Sequence, residues 1–422
     1  MKKRSFLIFG FLFFLPFFSN AYANTLYLKI DSSYQTWEVD PVEFSSISSF
    51  QKSTLKDYDI LPLSEQKAFL EPYLENQELE GFDQVKIQQY LQEKIAPDVN
   101  RPRSDVTISR NAESGEIEFE GYGLEGWQLD VKKGAQMISQ ALEEGINYVH
   151  LPVVKEQPVV TVLDEELKEK GIKELIGAGQ TDASGSSYSR YINVDIGIGT
   201  FDGLLLPPGE VSFSDEIGPI TAAEGYVQEM VIKGPKVVPE YGGGMCQVSS
   251  TLFRAVLDAG LPVTDRTPHS FIVSYYKPYG LDATVYTPIV DLKFMNDTGQ
   301  HILIQTLRLD GDVHYNIYGT SDGRMSHVIG PHYKGWTGIP AARVEYTDTL
   351  PPGAVQVVGN PVPGLHVTWH REVEFPDDSE KDFVETYDSR YQARPSYRII
   401  GGAAPSAEPT TEGGGETATN AE

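Results

Sequence analysis

The residue of this sequence with the clearest chemical potential is its single cysteine, Cys246, which lies in a glycine-rich run. The run reads Gly-Gly-Gly-Met-Cys-Gln-Val-Ser-Ser from Gly242 to Ser250, and glycines followed by an amphipathic stretch predict a loop that enters a helix. Such a loop lets backbone amides approach a ligand closely, because glycine has no Cβ. A helix start adds unpaired N–H groups and about half a positive charge. We therefore expect a thiol pKa below about 8.5, a nucleophilic Cys246, and loop amides that hold a developing oxyanion.

The same run has two plainer interpretations. The glycines could form a tight turn, with Cys246 packed as a small apolar side chain between Met245 and Val248. A phosphate-binding loop fits less well, because no lysine follows the glycines. One cysteine in 422 residues also excludes an intramolecular disulfide, so the thiol is either packed and inert or present because it reacts.

His269 is the candidate base for this thiol. It lies 23 residues after Cys246, and a thiolate nucleophile generally has a base nearby. Pro268 biases Thr267 towards an extended conformation, which predicts that His269 lies at the start of a strand. A strand antiparallel to the helix would return the imidazole to the cysteine. Alone, such a histidine is more often an ordinary surface residue.

The remaining candidate residues each have a structural alternative. Asp282 could orient an imidazole or hold a substrate amine, but it could equally cap a turn. Arg266 could hold a substrate carboxylate, although a solvated arginine is the default. Gln247, Ser249 and Ser250 could supply hydrogen bonds near an oxyanion. No group of His, Cys and Asp has the spacing of zinc ligands, so the sequence predicts neither a metal nor an organic cofactor.

Residues 1–23 read as an export signal. A cationic head of Lys2, Lys3 and Arg4 precedes a nearly unbroken apolar run over residues 5–18, and Ala21-Tyr22-Ala23 is a small-x-small cleavage site. The run is shorter than the ~20 residues of a membrane span, which is the alternative interpretation. We expect an extracytoplasmic mature protein, secreted or periplasmic, with no stable membrane span after signal cleavage.

The charge of the chain limits its partners. Its formal net charge is -26, which would repel nucleic acids and anionic lipids, so neither is expected as an electrostatic partner.

Hydrophobic periodicity divides the rest of the chain into an α+β protein of several parts. Residues 24–163 form a small α+β module, residues 164–183 a linker helix, residues 184–323 a β-rich domain with one main helix, residues 324–402 a small β extension, and residues 403–422 a disordered tail. The expected elements include helices over Leu63–Leu74, Val85–Ile95, Val131–Glu144 (capped by Gly145) and Ser249–Ala259, and strands over Asp105–Arg110, Glu116–Gly121, Val355–Val358 and Leu365–Val373.

The β-rich domain resembles the VanW family. The residues that carry the resemblance are Leu206 to Phe213, Ile217 to Pro219, Gly225-Tyr226, Gly242 to Leu252, Arg266, His269-Ser270, Tyr275, Pro278 and Asp282 to Val285. They cover residues 184–319 in the expected order. One departure is Tyr279, inserted between proline and glycine where the family usually has none. The preceding module, over Glu118 to Val162, is similar to a peptidoglycan-binding domain often placed before VanW domains.

The resemblance implies a cysteine-dependent L,D-transpeptidase that acts on peptidoglycan, with Cys246 as nucleophile and His269 as base. A non-catalytic peptidoglycan-binding or scaffolding protein is the alternative. Rapid labelling of the cysteine by a small thiol reagent near neutral pH would favour the enzyme. Besides the two catalytic candidates, the predicted substrate- and oxyanion-binding residues are Gly244, Gln247, Ser249, Ser250, Arg266, Ser270 and Asp282.

Overall fold

The computed structural model describes residues 26–30, 36–39, 44, 82–144, 146, 148–233 and 236–403. Over these residues the chain is a mixed α and β protein with several small sheets and more strand than helix, which confirms the predicted α+β class. The predicted export signal, the helix over Leu63–Leu74, the cap at Gly145 and all but the first residue of the predicted tail lie outside the described residues.

The N-terminal region has an apolar core of its own. Leu26 and Leu28 of its first strand pack with Leu91, Ala135 and Ile138 of its helices. The predicted helix over Val85–Ile95 is present as an α-helix followed by a π-helical turn, and a second short α-helix continues it. The elements are β1 (Leu26–Lys29), β2 (Thr36–Val39), α1 (Gln84–Tyr90), the π-turn (Leu91–Ile95), α2 (Ala96–Val99), β3 (Ser104–Arg110), β4 (Ile117–Leu124), β5 (Gly126–Leu129), α3 (Val131–Glu143), β6 (Tyr148–His150), β7 (Val153–Glu156) and β8 (Val160–Val162). They form the sheets β2-β1-β6, β4-β3-β8 and β5-β7.

The central region is built on a four-stranded sheet of order β10-β16-β17-β9. Its elements are α4 (Glu165–Glu169), β9 (Glu174–Asp182), α5 (Tyr188–Phe201), β10 (Leu205–Leu206), β11 (Gly209–Ser212), α6 (Phe213–Ile217), β12 (Gln228–Lys233), β13 (Lys236–Tyr241), α7 (Met245–Asp258), β14 (Val263–Asp265), β15 (Lys293–Asn296), β16 (Ile302–Leu309) and β17 (Asp312–Gly319), with 3-10 turns at Ala222–Glu224 and Ser274–Tyr276. Strands β11, β15 and β14 form a second sheet, and β12 pairs with β13 as a hairpin.

Strand β9 corrects the prediction of a linker helix over residues 164–183. Helix α4 covers five residues only, and β9 pairs antiparallel with β17 along its length. Gly177 and Gly179 explain the packing of α7 on this strand, because a Cβ on Gly179 would lie 2.3 Å from the carbonyl oxygen of Thr251 in the helix. The two glycines are therefore sites of close contact between helix and sheet, and the central sheet begins before the predicted boundary at residue 184.

The C-terminal region consists of two three-stranded sheets, β18-β21-β22 and β19-β23-β20. The strands are β18 (Met325–Thr337), β19 (Arg343–Thr347), β20 (Val355–Val358), β21 (Gly364–Glu374), β22 (Phe383–Tyr391) and β23 (Tyr397–Gly401), with a 3-10 turn at Ser379–Lys381. The first sheet packs on the central region: Trp369 donates from Nε1 to the carbonyl of Tyr279 at 2.8 Å, and buried Arg371 donates to the carbonyl of Leu261 at 2.8 Å. The extension is thus joined to the central region by buried contacts.

Candidate active site

Cys246 is the second residue of α7, at the point where the glycine loop becomes a helix. The helix begins four residues earlier than predicted, because Gly244 serves as its N-cap with a φ of 126°. That conformation favours glycine, and a Cβ on Gly244 would lie 2.9 Å from Cγ2 of Val194. The thiol is partly exposed, and its Sγ lies 3.6 Å from the carbonyl oxygen of Val285. Cys246 therefore has the helix-start position that favours a thiolate.

The backbone amides around the thiol leave one donor available. Met245 N–H donates to the Gly242 carbonyl at 3.1 Å, and Gln247 N–H donates to the Gly244 carbonyl at 2.8 Å. The amide of Cys246 donates to no oxygen within the part of the chain that the structure describes. This N–H lies at the positive end of the helix. When the sulfur attacks a carbonyl carbon, the oxyanion that forms on the carbonyl oxygen could accept a hydrogen bond from it.

A single β-bridge brings His269 to Asp282. Thr267 and Thr284 pair antiparallel, with Thr284 N–H donating to the Thr267 carbonyl at 2.8 Å. Two residues along each chain from this bridge, His269 and Asp282 lie opposite one another. The Asp282 carboxylate accepts the backbone N–H of His269 at 2.8 Å and also binds Nδ1 of its ring. His269 therefore follows a bridge in an irregular loop and does not start a strand, which corrects that expectation.

The bond from Nδ1 to Asp282 determines what the other ring nitrogen can do. The His269 ring is hydrogen-bonded to the Cys246 thiol. With Nδ1 occupied by the carboxylate, Nε2 is the ring atom left for sulfur. Cys246, His269 and Asp282 are thus connected in that order, with His269 and Asp282 exposed by only 3% and 2%.

Protonation of the three side chains follows from this arrangement. Burial lowers the pKa of His269, but the hydrogen bonds and charges of Asp282 and Cys246 outweigh it and raise that pKa to about 9. Burial likewise raises the pKa of the Cys246 thiol, but the hydrogen bond and charge of His269 bring it below its usual value. The pKa of Asp282 is well below its usual range, because His269 and Arg266 outweigh the effect of burial. The site therefore favours an imidazolium and a carboxylate at neutral pH, and the imidazolium stabilises the thiolate form of Cys246.

Arg266 and Tyr391 complete the surroundings of the carboxylate. Arg266 donates from Nε to the Asp282 carbonyl at 2.6 Å and from Nη2 to the Gly280 carbonyl at 2.9 Å, and it lies 3.4 Å from Oδ1 of Asp282. Its Nη1 donates to Ser389 at 3.0 Å, and the Tyr391 hydroxyl donates to Oδ1 of Asp282. The side chain of Arg266 is 5% exposed. The structure thus directs Arg266 into the protein, which does not fit the expected contact with a substrate carboxylate.

The other predicted substrate-binding residues divide in the same way. Buried Ser249 donates to the Ala283 carbonyl at 2.7 Å, and buried Ser250 accepts the Ala283 amide at 2.9 Å, so both fasten the chain after Asp282 to α7. The carbonyl of Ser270 accepts the amide of Gln392 at 2.7 Å. These serines thus position the site, whereas Gly244 lines the cleft beside Cys246.

The thiol opens into a cleft of about 730 Å³. Its lining includes residues of the hairpin β12–β13 and several tyrosine side chains. The residues that line it include Arg190, Met230, Cys246, His269, Tyr275 and Tyr286. An elongated polar molecule could therefore reach the sulfur from solvent.

Arg190 is a cleft residue that the sequence did not indicate. It lies in the first turn of α5, and both Nε and Nη2 donate to Oε1 of Gln247, at 3.3 and 2.9 Å. Gln247 is fully buried and donates to the Asp182 carbonyl at 2.8 Å. The predicted oxyanion residue Gln247 thus orients an arginine. No sequence motif pointed to Arg190, because it lies more than fifty residues before the glycine run.

Neither a metal cluster nor a membrane helix is found in the described ranges. No three His, Cys, Asp or Glu side chains there are grouped so that they could hold a metal ion. None of the helices there is both long and apolar enough to cross a membrane.

A thiol at a helix start, hydrogen-bonded to a histidine that a buried aspartate orients, defines a Cys–His–Asp triad protein of α+β fold. Residues 189–318 match the family model described as VanW like protein. The match confirms the VanW resemblance that the sequence motifs predicted for this part of the chain.

Two curated proteins are similar to this chain. The uncharacterized protein YoaR of Bacillus subtilis (strain 168) is 34% identical over 168 residues, which are 40% of this chain and 55% of that protein. The vancomycin B-type resistance protein VanW of Enterococcus faecalis (strain ATCC 700802 / V583) is 31% identical over 116 residues, 26% of this chain and 42% of that protein. The chain spans about half the length of each of these relatives.

Proposed function

We propose that the protein is an exported, cell-wall-associated acyltransferase of the L,D-transpeptidase type that uses Cys246 to act on peptidoglycan stem peptides. The observation that carries the proposal is the Cys246–His269–Asp282 arrangement at the edge of an open cleft. Cysteine acyltransferases make a nucleophile at neutral pH by pairing a thiolate with an oriented imidazolium. A wall-related substrate is supported by the vancomycin B-type resistance protein among the relatives.

In the first step, the Cys246 thiolate attacks the carbonyl carbon of the third, L-centred residue of a donor tetrapeptide. The C=O bond becomes an oxyanion, which the amide of Cys246 is placed to stabilise. Collapse of this intermediate breaks the peptide bond and forms a thioester. The imidazolium of His269 gives its proton to the leaving amine of the terminal D-residue.

In the second step, neutral His269 takes a proton from the side-chain amine of a diamino acid in another stem peptide. The amine attacks the thioester carbonyl, and an amide bond forms as the C–S bond breaks. The thiolate and imidazolium are restored together, and the product is a 3–3 crosslink. Water in place of the amine gives a free tripeptide, which is carboxypeptidase activity.

Asp282 and the N-terminal module have supporting roles. Asp282 keeps Nδ1 of His269 occupied, which leaves Nε2 as the ring nitrogen for the sulfur. The N-terminal module retains the enzyme on polymeric peptidoglycan, and the reaction needs no metal or organic cofactor.

The test is incubation of the purified mature protein with disaccharide-tetrapeptide muropeptides, read by mass spectrometry. We expect crosslinked dimers or free tripeptide, together with a Cys246 acyl adduct. The variant Cys246→Ala should give none of these while it retains its far-UV circular dichroism spectrum. Equal activity of that variant would refute the proposal.

A second readout decides between the enzyme and a binding protein. If the native protein transfers nothing from several stem peptides, and it and Cys246→Ala bind purified sacculi equally well, the non-catalytic scaffold is the better account. Rapid alkylation of Cys246 without turnover would show a reactive thiol whose substrate is not a stem peptide.

A further inference from the structure

We propose that Arg190 binds the free C-terminal carboxylate of the residue that leaves, so that the site acts on peptide ends rather than on internal bonds. This inference rests on the proposed function and identifies the residue that selects donors whose scissile bond is the last of the peptide. It assigns to Arg190 the carboxylate contact that was expected of Arg266.

The guanidinium of Arg190 is held in one orientation. Its Nε and Nη2 groups both donate to Oε1 of Gln247. Gln247 is fully buried, and its Nε2 donates to the Asp182 carbonyl. One face lies over the ring of Tyr275, with Cζ 5.0 Å from the ring centroid. An arginine fixed in this way loses little conformational entropy when it binds a planar anion.

The charge of Arg190 is not neutralised by the residues that hold it. Gln247 is a neutral amide, and the two tyrosines that interact with Arg190, Tyr275 and Tyr276, carry no carboxylate. Among the ion pairs of the described ranges, none joins Arg190 to a carboxylate within 4.0 Å. Glu229 influences Arg190 only at longer range. Arg190 is thus an oriented cation that faces the cleft without a carboxylate partner in the described part of the chain, beside the Cys246 thiol whose anionic form it also favours.

The position of Arg190 relative to the sulfur suits the end of a peptide. Its stem lies against the glycine loop, since a Cβ on Gly244 would be 3.4 Å from Cγ of Arg190. Cys246 follows two residues later and lines the same cleft. In a peptide, successive residues are spaced by about 3.8 Å, so the terminal carboxylate of a leaving residue lies one residue from the carbonyl under attack. A cation beside the thiolate can therefore reach that carboxylate.

A second explanation of Arg190 must be separated from this one. Its charge also helps to lower the pKa of the Cys246 thiol, so the arginine could serve only to stabilise the thiolate. That role would affect every donor equally. Recognition of a carboxylate affects only donors that have one.

The experiment compares two tetrapeptide donors that differ at one group: one ends in D-alanine as the free acid, and the other ends in D-alaninamide. We would measure kcat/KM for the release of each terminal residue by mass spectrometry, for the full mature chain and for Arg190→Gln and Arg190→Lys. Arg308→Gln is the matched control, because Arg308 also lies over a tyrosine ring, at 4.5 Å, but pairs with Asp195 on the surface.

We expect the native protein and Arg308→Gln to prefer the acid by roughly 10- to 150-fold, the range of a hydrogen bond to a charged group. Arg190→Gln should lose this preference, because any effect of its charge on the thiol slows both donors alike, and Arg190→Lys should keep part of the preference. Equal use of both donors by the native protein would overturn the inference but leave the proposed function intact. So would an equal slowing of both donors in Arg190→Gln.

Binding supplies a readout that does not need turnover. With Cys246→Ala, calorimetry should show tighter binding of the acid than of the amide, and Cys246→Ala combined with Arg190→Gln should bind the two alike. If the native protein releases neither terminal residue while the acid still binds better, the acyltransferase proposal fails and the carboxylate site stands. Equal binding of acid and amide to Cys246→Ala contradicts the carboxylate site.

Discussion

Replacing Asp282 by Asn would test whether the buried carboxylate sets the protonation of the Cys246–His269 pair. The substitution preserves the size of the side chain, and the amide oxygen can still accept the backbone N–H of His269. It removes the negative charge that lies against Nδ1 of the ring. The chemistry of the thiol should therefore change more than the fold does.

The size of the effect follows from the pKa of His269. Its rise from 6.5 to about 9 corresponds to roughly 3 kcal/mol in favour of the imidazolium, at about 1.4 kcal/mol for each tenfold change. Burial acts in the opposite direction, so the contributions of Asp282 and Cys246 together exceed this value. If Asp282 supplies about half of the 3 kcal/mol, its loss shifts the pair by about tenfold, and up to about 100-fold if it supplies most.

The assay is the rate of iodoacetamide labelling of Cys246 from about pH 5 to about pH 10, because only the thiolate reacts. We expect labelling of Asp282→Asn to be about 10- to 100-fold slower at low pH, with its midpoint at higher pH. The control is Asp291→Asn. Asp291 is also buried and accepts the Ser214 amide at 2.9 Å, but it does not contact the triad. Labelling profiles of Asp282→Asn and the native protein that superimpose would refute the role of the carboxylate charge.

Three further outcomes follow from the same structure. Transfer activity should fall as pH rises through about 9, because His269 then loses the proton that the leaving amine needs, and a pH–rate profile that stays level there would contradict His269 as the acid. Tyr391→Phe removes the hydroxyl that donates to Asp282 and should cost about 1–3 kcal/mol in urea unfolding; a loss below about 0.5 kcal/mol would show that the bond is dispensable. Gly244→Ala should lose about 2 kcal/mol or more, since Gly244 has a φ of 126° and a Cβ there would lie 2.9 Å from Val194. Its control is Gly199→Ala, at an exposed position of α5 where nothing lies within 4 Å of the added Cβ, so that the melting temperature should change little or rise.

The local part of the site could be predicted from the sequence. Three glycines before an amphipathic run specify a loop and a helix start, and these determine the surroundings of Cys246 within a few residues of the chain. The proline before His269 indicated an extended approach, and a bridge at Thr267 is what the structure contains. Asp282 as the residue that orients the imidazole was one of the alternatives that the sequence left open.

The site contacts between residues far apart in the sequence could not be predicted, because they depend on how distant segments pack together. Arg190 reaches the cleft through a hydrogen bond to Gln247, 57 residues later. Tyr391 reaches Asp282 across 109 residues. No local periodicity encodes such contacts. Strand β9 was missed for a related reason: Gly177 and Gly179 weaken a strand pattern locally, and their benefit appears only when α7 lies on them.

The surroundings of Asp282 suggest why the C-terminal sheets and the triad should act as one unit. A buried carboxylate is tolerable only if hydrogen bonds and positive charge replace the water that it has lost. Here the replacements come from separate segments: the ring and backbone N–H of His269, the guanidinium of Arg266, and the hydroxyl of Tyr391 in β22. Ser389 of the same strand also accepts from Arg266. The family match ends at residue 318, so two of these supports lie beyond it. Loosening β22 would leave the carboxylate and the arginine partly unpaired, and the charge on His269, and with it the thiolate, would weaken although no residue of the triad had changed.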